Sequence, residues 1–523
     1  MNFASAASPA RYPVIADNIV ATSHPLAAQA GLRMFELGGN AIDAALAAAI
    51  ALVVLEPVST GLGSDSFAML WDGGAVHGLN GSGRAPRAWS AGVLDNWKAI
   101  PGAGWNSVTV PGVVASWNDL SSRFGALPFE RLFEPAISWA ESGFPVSPGV
   151  AERWAVQVGR LKDQPGFAET FLPSGRAPLA GERFRNPALA SSLRAIAETR
   201  GESFYRGALA DAMIAHSQAN DGMMSHDDLS THRSEWVKPL DFECFGCTWH
   251  QMPPNANGIV LLMALGILSE TGSAGDCATP EHQHIQLEAY KLAAAETERH
   301  IADGAARSSV LALLDRDYLR SRARMIGPTA QNFEPGIPNR GGTVFVTAAD
   351  RTGRLVSFIQ SNYVGFGSGV VVPGTGISLH NRAAGFSLQK GHPNYPAPGK
   401  RPAHTILPAL ISRNGQPFMS LGVTGGNMQP QGQLQIALRI ILDGRNPQSA
   451  IDSPRFRHMA GLDINLEDAM PEKTKRFLAE RGHRILPLPE GYMDFGSAQA
   501  LCRVGDCWVA GTDGRKDGAA VGL

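Results

Sequence analysis

The sequence predicts an α+β chain with a helix-rich first part and a strand-rich second part. Three observations lead there. Residues 41–55 are apolar nearly all round, which predicts a helix buried on every side. Between about residues 113 and 330, apolar positions recur mostly at helical spacing. At Thr343 the texture changes to short apolar runs separated by turn residues, the pattern of strands and hairpins.

Taken in order, residues 24–37 carry Leu26, Ala30, Leu32, Met34, Phe35 and Leu37 at helical spacing, and Gly38-Gly39 ends that helix. Asn40 caps the next one, with Asp43 three residues on, as in a capping box. Ser59-Thr60-Gly61-Leu62-Gly63-Ser64 is a small-residue loop that lets backbone approach a neighbour closely, and residues 66–70 read as a strand. Helices follow at 129–142, 186–198, 208–219 and 280–303. Residues 321–341 are poor in pattern, contain Pro328, Pro335 and Pro338, and read as an exposed, flexible segment. Thr343 then opens a hairpin: strand 343–349, a turn at Asp350-Arg351-Thr352-Gly353, and strand 355–361. Gly365-Phe366-Gly367-Ser368-Gly369 is a glycine loop. Strands at 407–411 and 418–423 precede Gly425-Gly426-Asn427, which opens a helix over 430–442.

Composition narrows the function classes. With 44% hydrophobic and 18% charged residues, a formal net charge of −2 and no block of like charge, neither nucleic acid nor a membrane surface fits as a partner. Residues 1–16 lack a basic segment followed by an apolar run, and the longest apolar run, 44–55, is too short to span a bilayer. The expected compartment is the cytoplasm. Five cysteines in 523 residues do not make a disulfide framework. Cys244 and Cys247 with Cys502 and Cys507 could compose a four-thiol zinc site. The Cys-x4-Cys spacing is loose, however, and no histidine stands at ligand spacing, so the cysteines read as structural thiols and no metal or cofactor is expected.

Amide hydrolysis needs a nucleophile, a base and donors for the oxyanion. A threonine at a chain N-terminus can use its own α-amine as the base, since that amine has an unperturbed pKa near 8. Making such a terminus inside a long chain requires a cut just before the threonine. Gly342 suits that cut because it has no Cβ to shield the scissile carbonyl. Gly425-Gly426, at a helix start, offers backbone N–H groups and a helix dipole to an anion. Each pattern alone is more often an ordinary turn.

Together and in order, many segments of the chain resemble the γ-glutamyltransferase family, also called γ-glutamyl transpeptidases or glutathione hydrolases. They are His24-Pro25-Leu26-Ala27, residues 38–45, Glu56-Pro57, Val108-Thr109-Val110-Pro111-Gly112, and Asp228-Leu229 ahead of Trp236. Further on come Gly341-Gly342-Thr343, Asp350, Gly353, Phe366-Gly367-Ser368, Thr375-Gly376, Lys400-Arg401-Pro402 and Gly425-Gly426. Phe495-Gly496, Gln499, Asp513-Gly514-Arg515 and Asp517-Gly518-Ala519-Ala520 complete the set. The resemblance implies a four-layer αββα sandwich of the N-terminal-nucleophile hydrolase type. It implies a zymogen, residues 1–523 forming one domain that cuts itself at Gly342–Thr343 into a large fragment 1–342 and a small fragment 343–523. These stay together, with room for a homodimer or a heterotetramer of fragments. It further implies Thr343 as nucleophile through an acyl-enzyme, Ser361 in place of a second threonine that bonds the nucleophile, and Gly425 and Gly426 as the oxyanion pair.

The departures fall where the family holds the γ-glutamyl group. Tyr363 replaces an asparagine and Arg382 replaces a glutamine or glutamate. Gly385 stands where the family has the aspartate that binds the α-amino group, and His404-Thr405 replaces a serine pair. Ser82, in Ser82-Gly83-Arg84-Ala85-Pro86, replaces the arginine that binds the α-carboxylate. An ammonium group without a matching anion is costly to bury. A site with Arg382 and Arg84 but no acid at 385 therefore suits a substrate with a carboxylate and no α-amine. Tyr363, Arg382, His404, Thr405 and Arg84 are the expected substrate-binding residues. The pattern resembles the family's γ-glutamyltransferase-like and oxamate amidohydrolase branch, and the expected activity is hydrolysis of a small carboxylate-bearing amide such as oxamate. The alternative is a true γ-glutamyltransferase or glutathione hydrolase with a rebuilt pocket.

Overall fold

Side-chain parity along one strand organises the molecule. In Gly342–Ala349, Val344, Val346 and Ala348 pack on helices, while Phe345 and Ala349 face a second sheet. The computed structural model describes residues 11–273, 275–333, 342–488 and 495–523. Its first large sheet runs, in spatial order, Ala519–Gly522, Ile19–Thr22, Gly342–Ala349, Leu355–Tyr363, Asp65–Trp71, Val76–Gly81, Glu235–Val237. The second runs Val14–Ala16, Cys507–Thr512, Ala498–Val504, Gln416–Val423, Ala409–Arg413, Cys247–Gln251, Leu240–Cys244.

Phe67, Met69, Phe345, Ile359, Leu410, Leu501 and Trp508 fill the space between the two sheets. Helices Pro25–Glu36, Ala41–Leu55 and Val113–Phe124 cover the outer face of the first sheet, and Glu134–Ser142 packs on Ala41–Leu55. Gly258–Glu270, Met428–Ile441 and Pro447–Asp452 cover that of the second, and Pro280–Thr297 packs on Gly258–Glu270. The result is a four-layer αββα sandwich. Both sheets need apolar residues on both faces, which is why their strands show little alternation.

The capping box at Asn40 forms in both directions, and all fifteen residues of Ala41–Leu55 are buried. The loop around Gly61 and Gly63 runs against residues 378–379: a Cβ at Gly63 would sit 2.3 Å from the Ser378 carbonyl oxygen.

Some elements differ from the sequence reading. The helix expected over 129–142 splits into a 3-10 turn, Phe129–Phe133, and a helix, Glu134–Ser142. Pro135, lacking an N–H, fits only in a first turn. The helix expected over 280–303 ends at Thr297, and a 3-10 turn follows. The pattern-poor stretch from 321 begins inside a helix, Arg316–Ala323, capped by Asp315. Residues 334–341 of that stretch lie outside the described residues. Cys244 and Cys247 are the end pair of a hairpin, all five cysteines are free thiols, and among the described residues they join no metal-binding cluster.

Candidate active site

Thr343 shares the parity of Phe345 and Thr347, so its side chain enters the space between the sheets, where it is 2% exposed. The pairing of its strand with Leu355–Tyr363 is regular from Ala349↔Leu355 to Val344↔Gln360 and then slips. Gly342 pairs with Tyr363, leaving Ser361 and Asn362 together opposite Thr343. Such a bulge re-aims side chains. Here it brings Ser361 Oγ to 2.6 Å from the Gly342 carbonyl oxygen and 3.1 Å from Thr343 Oγ1, while the Tyr363 N–H donates to it at 2.8 Å. Ser361 has one proton, and it goes to the Gly342 carbonyl. The Thr343 hydroxyl therefore donates to Ser361 Oγ.

Behind Thr343 lies a charge network around the buried Glu56. Lys516 Nζ donates to the Thr343 carbonyl at 2.8 Å and stands 3.4 Å from Glu56 Oε2. Arg153 is 3.7 Å from the same oxygen, and Ser23 donates to the other. Burial alone would raise the Glu56 carboxyl; Lys516 and Arg153 outweigh it and hold Glu56 below the usual range. Burial lowers Lys516.

Gly425 and Gly426 have φ of +105° and +60°, backbone that favours glycine. Their carbonyls accept from Met428 and Gln429 at the start of Met428–Ile441. Among the described residues neither of their N–H groups has a hydrogen-bond partner. Across the sheets, Thr347 Oγ1 bonds Ser420 Oγ at 2.8 Å, and Phe345 covers Gly422. One further step of two residues in that register leads to Thr343 and Thr424-Gly425.

On the other side of Ser361, its cross-strand partner is Asp65. Asp65 is wholly buried, as are His380, His404 and Arg382, which surround it. Its Oδ1 is 3.4 Å from His380 Nε2 and accepts from Gly83 N–H at 3.1 Å; its Oδ2 is 3.1 Å from His404 Nε2 and 4.0 Å from Arg382 Nε. Burial would raise the Asp65 carboxyl, but His380 and His404 hold it far below the carboxylate range. Burial and the Arg382 charge push His404 down to about 3, so its ring is neutral. Burial also pulls Arg382 down to about 10, where it remains a cation at neutral pH. The Arg382 guanidinium lies 4.2 Å from the centroid of the Tyr363 ring. Its Nη1 reaches Thr405 Oγ1 at 3.5 Å, and among the described residues Nε and Nη2 have no hydrogen-bond partner.

The gamma-glutamyltranspeptidase family model matches residues 27–523. The chain belongs to the gamma-glutamyltranspeptidase family. It is 36% identical to the glutathione hydrolase-like YwrD proenzyme of Bacillus subtilis over 518 residues, covering 97% of this chain and 98% of that one. It is 37% identical to the oxamate amidohydrolase proenzyme of Klebsiella pneumoniae, with 95% and 97% covered. Its structure superposes on the crystal structure of cephalosporin acylase from Bacillus halodurans with a TM-score of 0.95 at 42% identity, covering 100% and 99%. As a gamma-glutamyltranspeptidase family member, the protein is an enzyme of the N-terminal-nucleophile amidohydrolase or γ-glutamyltransferase type.

The structure gathers Thr343, Ser361, Tyr363, Arg382, His404 and Thr405 into one connected cluster. Arg84 has other partners. Its side chain is 41% exposed and reaches Glu235 at 2.8 Å, Asp303 at 3.3 Å and the Gly399 carbonyl. Ser82, where the family has an arginine, is locked to Asn80 and Asn255. At Gly385 a Cβ would sit 2.7 Å from the Ala403 carbonyl oxygen.

Sequence reasoning passed over Asp65, Glu56 and Lys516 as site members. The available signals were weak: an acid at the head of a strand apolar but for Ser66, an acid at a helix end, and a lysine between two matched segments. Elsewhere, His284, Glu288 and His483 bring ligand atoms within 4.8 Å of one another. Lys291 bonds Glu288 at 2.7 Å, and both His284 nitrogens are hydrogen-bonded.

Proposed function

We propose that this chain is a threonine amidohydrolase that cuts itself between Gly342 and Thr343 and then hydrolyses a small amide bearing a carboxylate. The hydrogen-bond chain Thr343 Oγ1 to Ser361 Oγ to the Gly342 carbonyl oxygen carries the first half of this reading. As Thr343 Oγ1 attacks the Gly342 carbonyl carbon, its proton passes to Ser361 Oγ, and the Ser361 proton passes to the carbonyl oxygen. Collapse moves that proton from the oxygen to the leaving nitrogen, breaks the Gly342–Thr343 C–N bond, frees the α-amine and leaves an ester. Water hydrolyses that ester to a Gly342 carboxylate and a free Thr343 hydroxyl.

In the cleaved enzyme the α-amine of Thr343 is the base and Thr343 Oγ1 the nucleophile. The Lys516 cation, bonded to the Thr343 carbonyl, favours the neutral amine. The N–H groups of Gly425 and Gly426 receive the oxyanion. An acyl-enzyme forms, the amine leaves with the proton taken from Thr343, and water resolves the ester.

The buried Arg382, stacked on Tyr363 with N–H donors to spare, supports a carboxylate on the substrate. No acid can stand at Gly385 without displacing the Ala403 carbonyl, which argues against an α-ammonium there. Oxamate, with one amide, one carboxylate and no amine, has the required groups, and a relative is named for it. Steady-state rates on oxamate and on a γ-glutamyl anilide test the substrate class: preference for oxamate is expected, and preference for the anilide refutes it. Thr343→Ala is expected to give one uncleaved, inactive chain. A full-length protein with activity would remove the whole mechanism.

A further inference from the structure

A buried guanidinium usually spends its five N–H groups on the protein. Arg382 does not: one nitrogen has a 3.5 Å contact with Thr405, and two have no partner among the described residues. Its nearest counter-charge is Asp65, whose Oδ2 is 4.0 Å from Arg382 Nε, too long for a hydrogen bond. The reason lies in what else Asp65 holds. Oδ1 serves Gly83 N–H and faces His380 Nε2, and Oδ2 serves His404 Nε2.

The His380 ring and the His404 backbone are fixed in turn. His380 Nδ1 accepts the Arg382 backbone N–H at 3.2 Å, so its Nε2 carries the proton toward Asp65. The backbone of His404 is pinned by Asn255 and Asn257, at 2.8 and 3.0 Å. The two histidines thus occupy the carboxylate and keep it from closing on the arginine.

We infer that Asp65 is a positioning residue for the substrate: it balances the Arg382 charge without consuming its N–H donors, and so presents the guanidinium to the substrate carboxylate. This rests on the reading that the substrate carries a carboxylate. Asp65 and Ser361 are cross-strand partners on the same face, and Tyr363, two residues beyond Ser361, stacks on Arg382. The receptor is therefore built into the strand pair that holds Thr343. Its distance from the nucleophile is set by the sheet, which suits a short substrate whose carboxylate lies close to its amide.

The test compares oxamate with oxamide, its uncharged isostere, using self-cleaved enzyme. Asp65→Asn, Arg382→Gln and the double variant are each assayed for kcat and KM. Asp65→Asn is expected to raise KM for oxamate about tenfold or more and to change oxamide kinetics far less. In the Arg382→Gln background it is expected to add little, because a residue that acts through another is non-additive with it. Equal losses on both substrates, or additive effects in the double variant, overturn the role of Asp65 while leaving Arg382 as receptor. An unchanged oxamate-to-oxamide preference in Arg382→Gln overturns the carboxylate reading itself. Should Asp65→Asn fail to fold or cleave, His404→Leu, which has no donor for Oδ2, reports on the same device. It frees Oδ2 to close on Arg382 and is expected to raise the oxamate KM selectively. A cleaved His404→Leu enzyme with wild-type KM for oxamate overturns the inference.

Discussion

Replacing Ser361 with alanine removes three contacts at once: the donor to the Gly342 carbonyl at 2.6 Å, the acceptor for the Thr343 hydroxyl at 3.1 Å, and the acceptor for Tyr363 N–H at 2.8 Å. On the proposed mechanism the first matters most for self-cleavage, because negative charge develops on that carbonyl oxygen as Thr343 attacks. Loss of one preorganised oxyanion donor typically costs about 10²–10³ in rate. The second contact orients the attacking hydroxyl, so the expected slowing lies at the upper end, about 10³-fold. The third leaves a buried N–H without its acceptor, which costs about 1–3 kcal/mol of stability. The assay is denaturing electrophoresis of freshly purified protein over time, following the full-length band and the fragments 1–342 and 343–523. Ser361→Thr keeps the hydroxyl and is expected to cleave within about tenfold of wild type, provided its added methyl is accommodated. Ser361→Ala protein that cleaves at the wild-type rate would refute the proton path drawn through Ser361.

Lys516→Met removes the cation bonded to the Thr343 carbonyl. Without it the α-amine holds its proton more tightly, so the acid limb of kcat/KM is expected to move to higher pH, and an unmoved limb counts against electrostatic tuning by Lys516. Gly385→Asp is expected not to create γ-glutamyl anilide hydrolysis, because its Cβ meets the Ala403 carbonyl at 2.7 Å; appearance of that activity would show that the loop yields. Stability should fall on mild acidification. Burial lowers His232 and His458 to about 4 and His404 and His483 to about 3, against about 6.5 unfolded. Below pH 6.5 the unfolded chain binds protons that the folded chain refuses. The stability these rings contribute is therefore complete above about 6.5 and declines as pH drops toward 4, by up to about 1.4 kcal/mol per ring per pH unit. A Tm that stays flat between pH 7 and pH 5 would contradict this.

Much of the fold was legible where one short-range rule sufficed. Asn40 and Asp43 announce a capped helix start, and the apolar run after them announces burial on all sides; both follow from local hydrogen bonding and apolar content. The turn at Asp350 to Gly353 was equally readable, since its residues dictate its geometry. The split at Pro135 and the helix entering the pattern-poor stretch were less so, because packing rather than propensity sets such boundaries.

Thr343, Ser361 and the Gly425-Gly426 pair were singled out from the chain by ordered resemblance, with little support from their immediate neighbours. Charge partners obey a different rule. Arg84 and Arg382 look alike in sequence, each an arginine near the expected pocket. Only the packed structure gives Arg84 to Glu235 and Asp303 and leaves Arg382 with donors beside Asp65. Asp65 and Lys516 stand 278 and 173 residues from Thr343 along the chain. Nothing local marks either as its neighbour. The sequence by itself determined the element types, because helix and strand periodicity and caps act over a few residues, and its ordered resemblance to the family implied the layered class and the candidate nucleophile. The tertiary structure alone decided the bulge that aims Ser361, the cation behind Thr343 and the anchored acid beside Arg382. Electrostatic and hydrogen-bond partnership depends on distance in space, and a sandwich of two sheets brings together residues from every part of the chain.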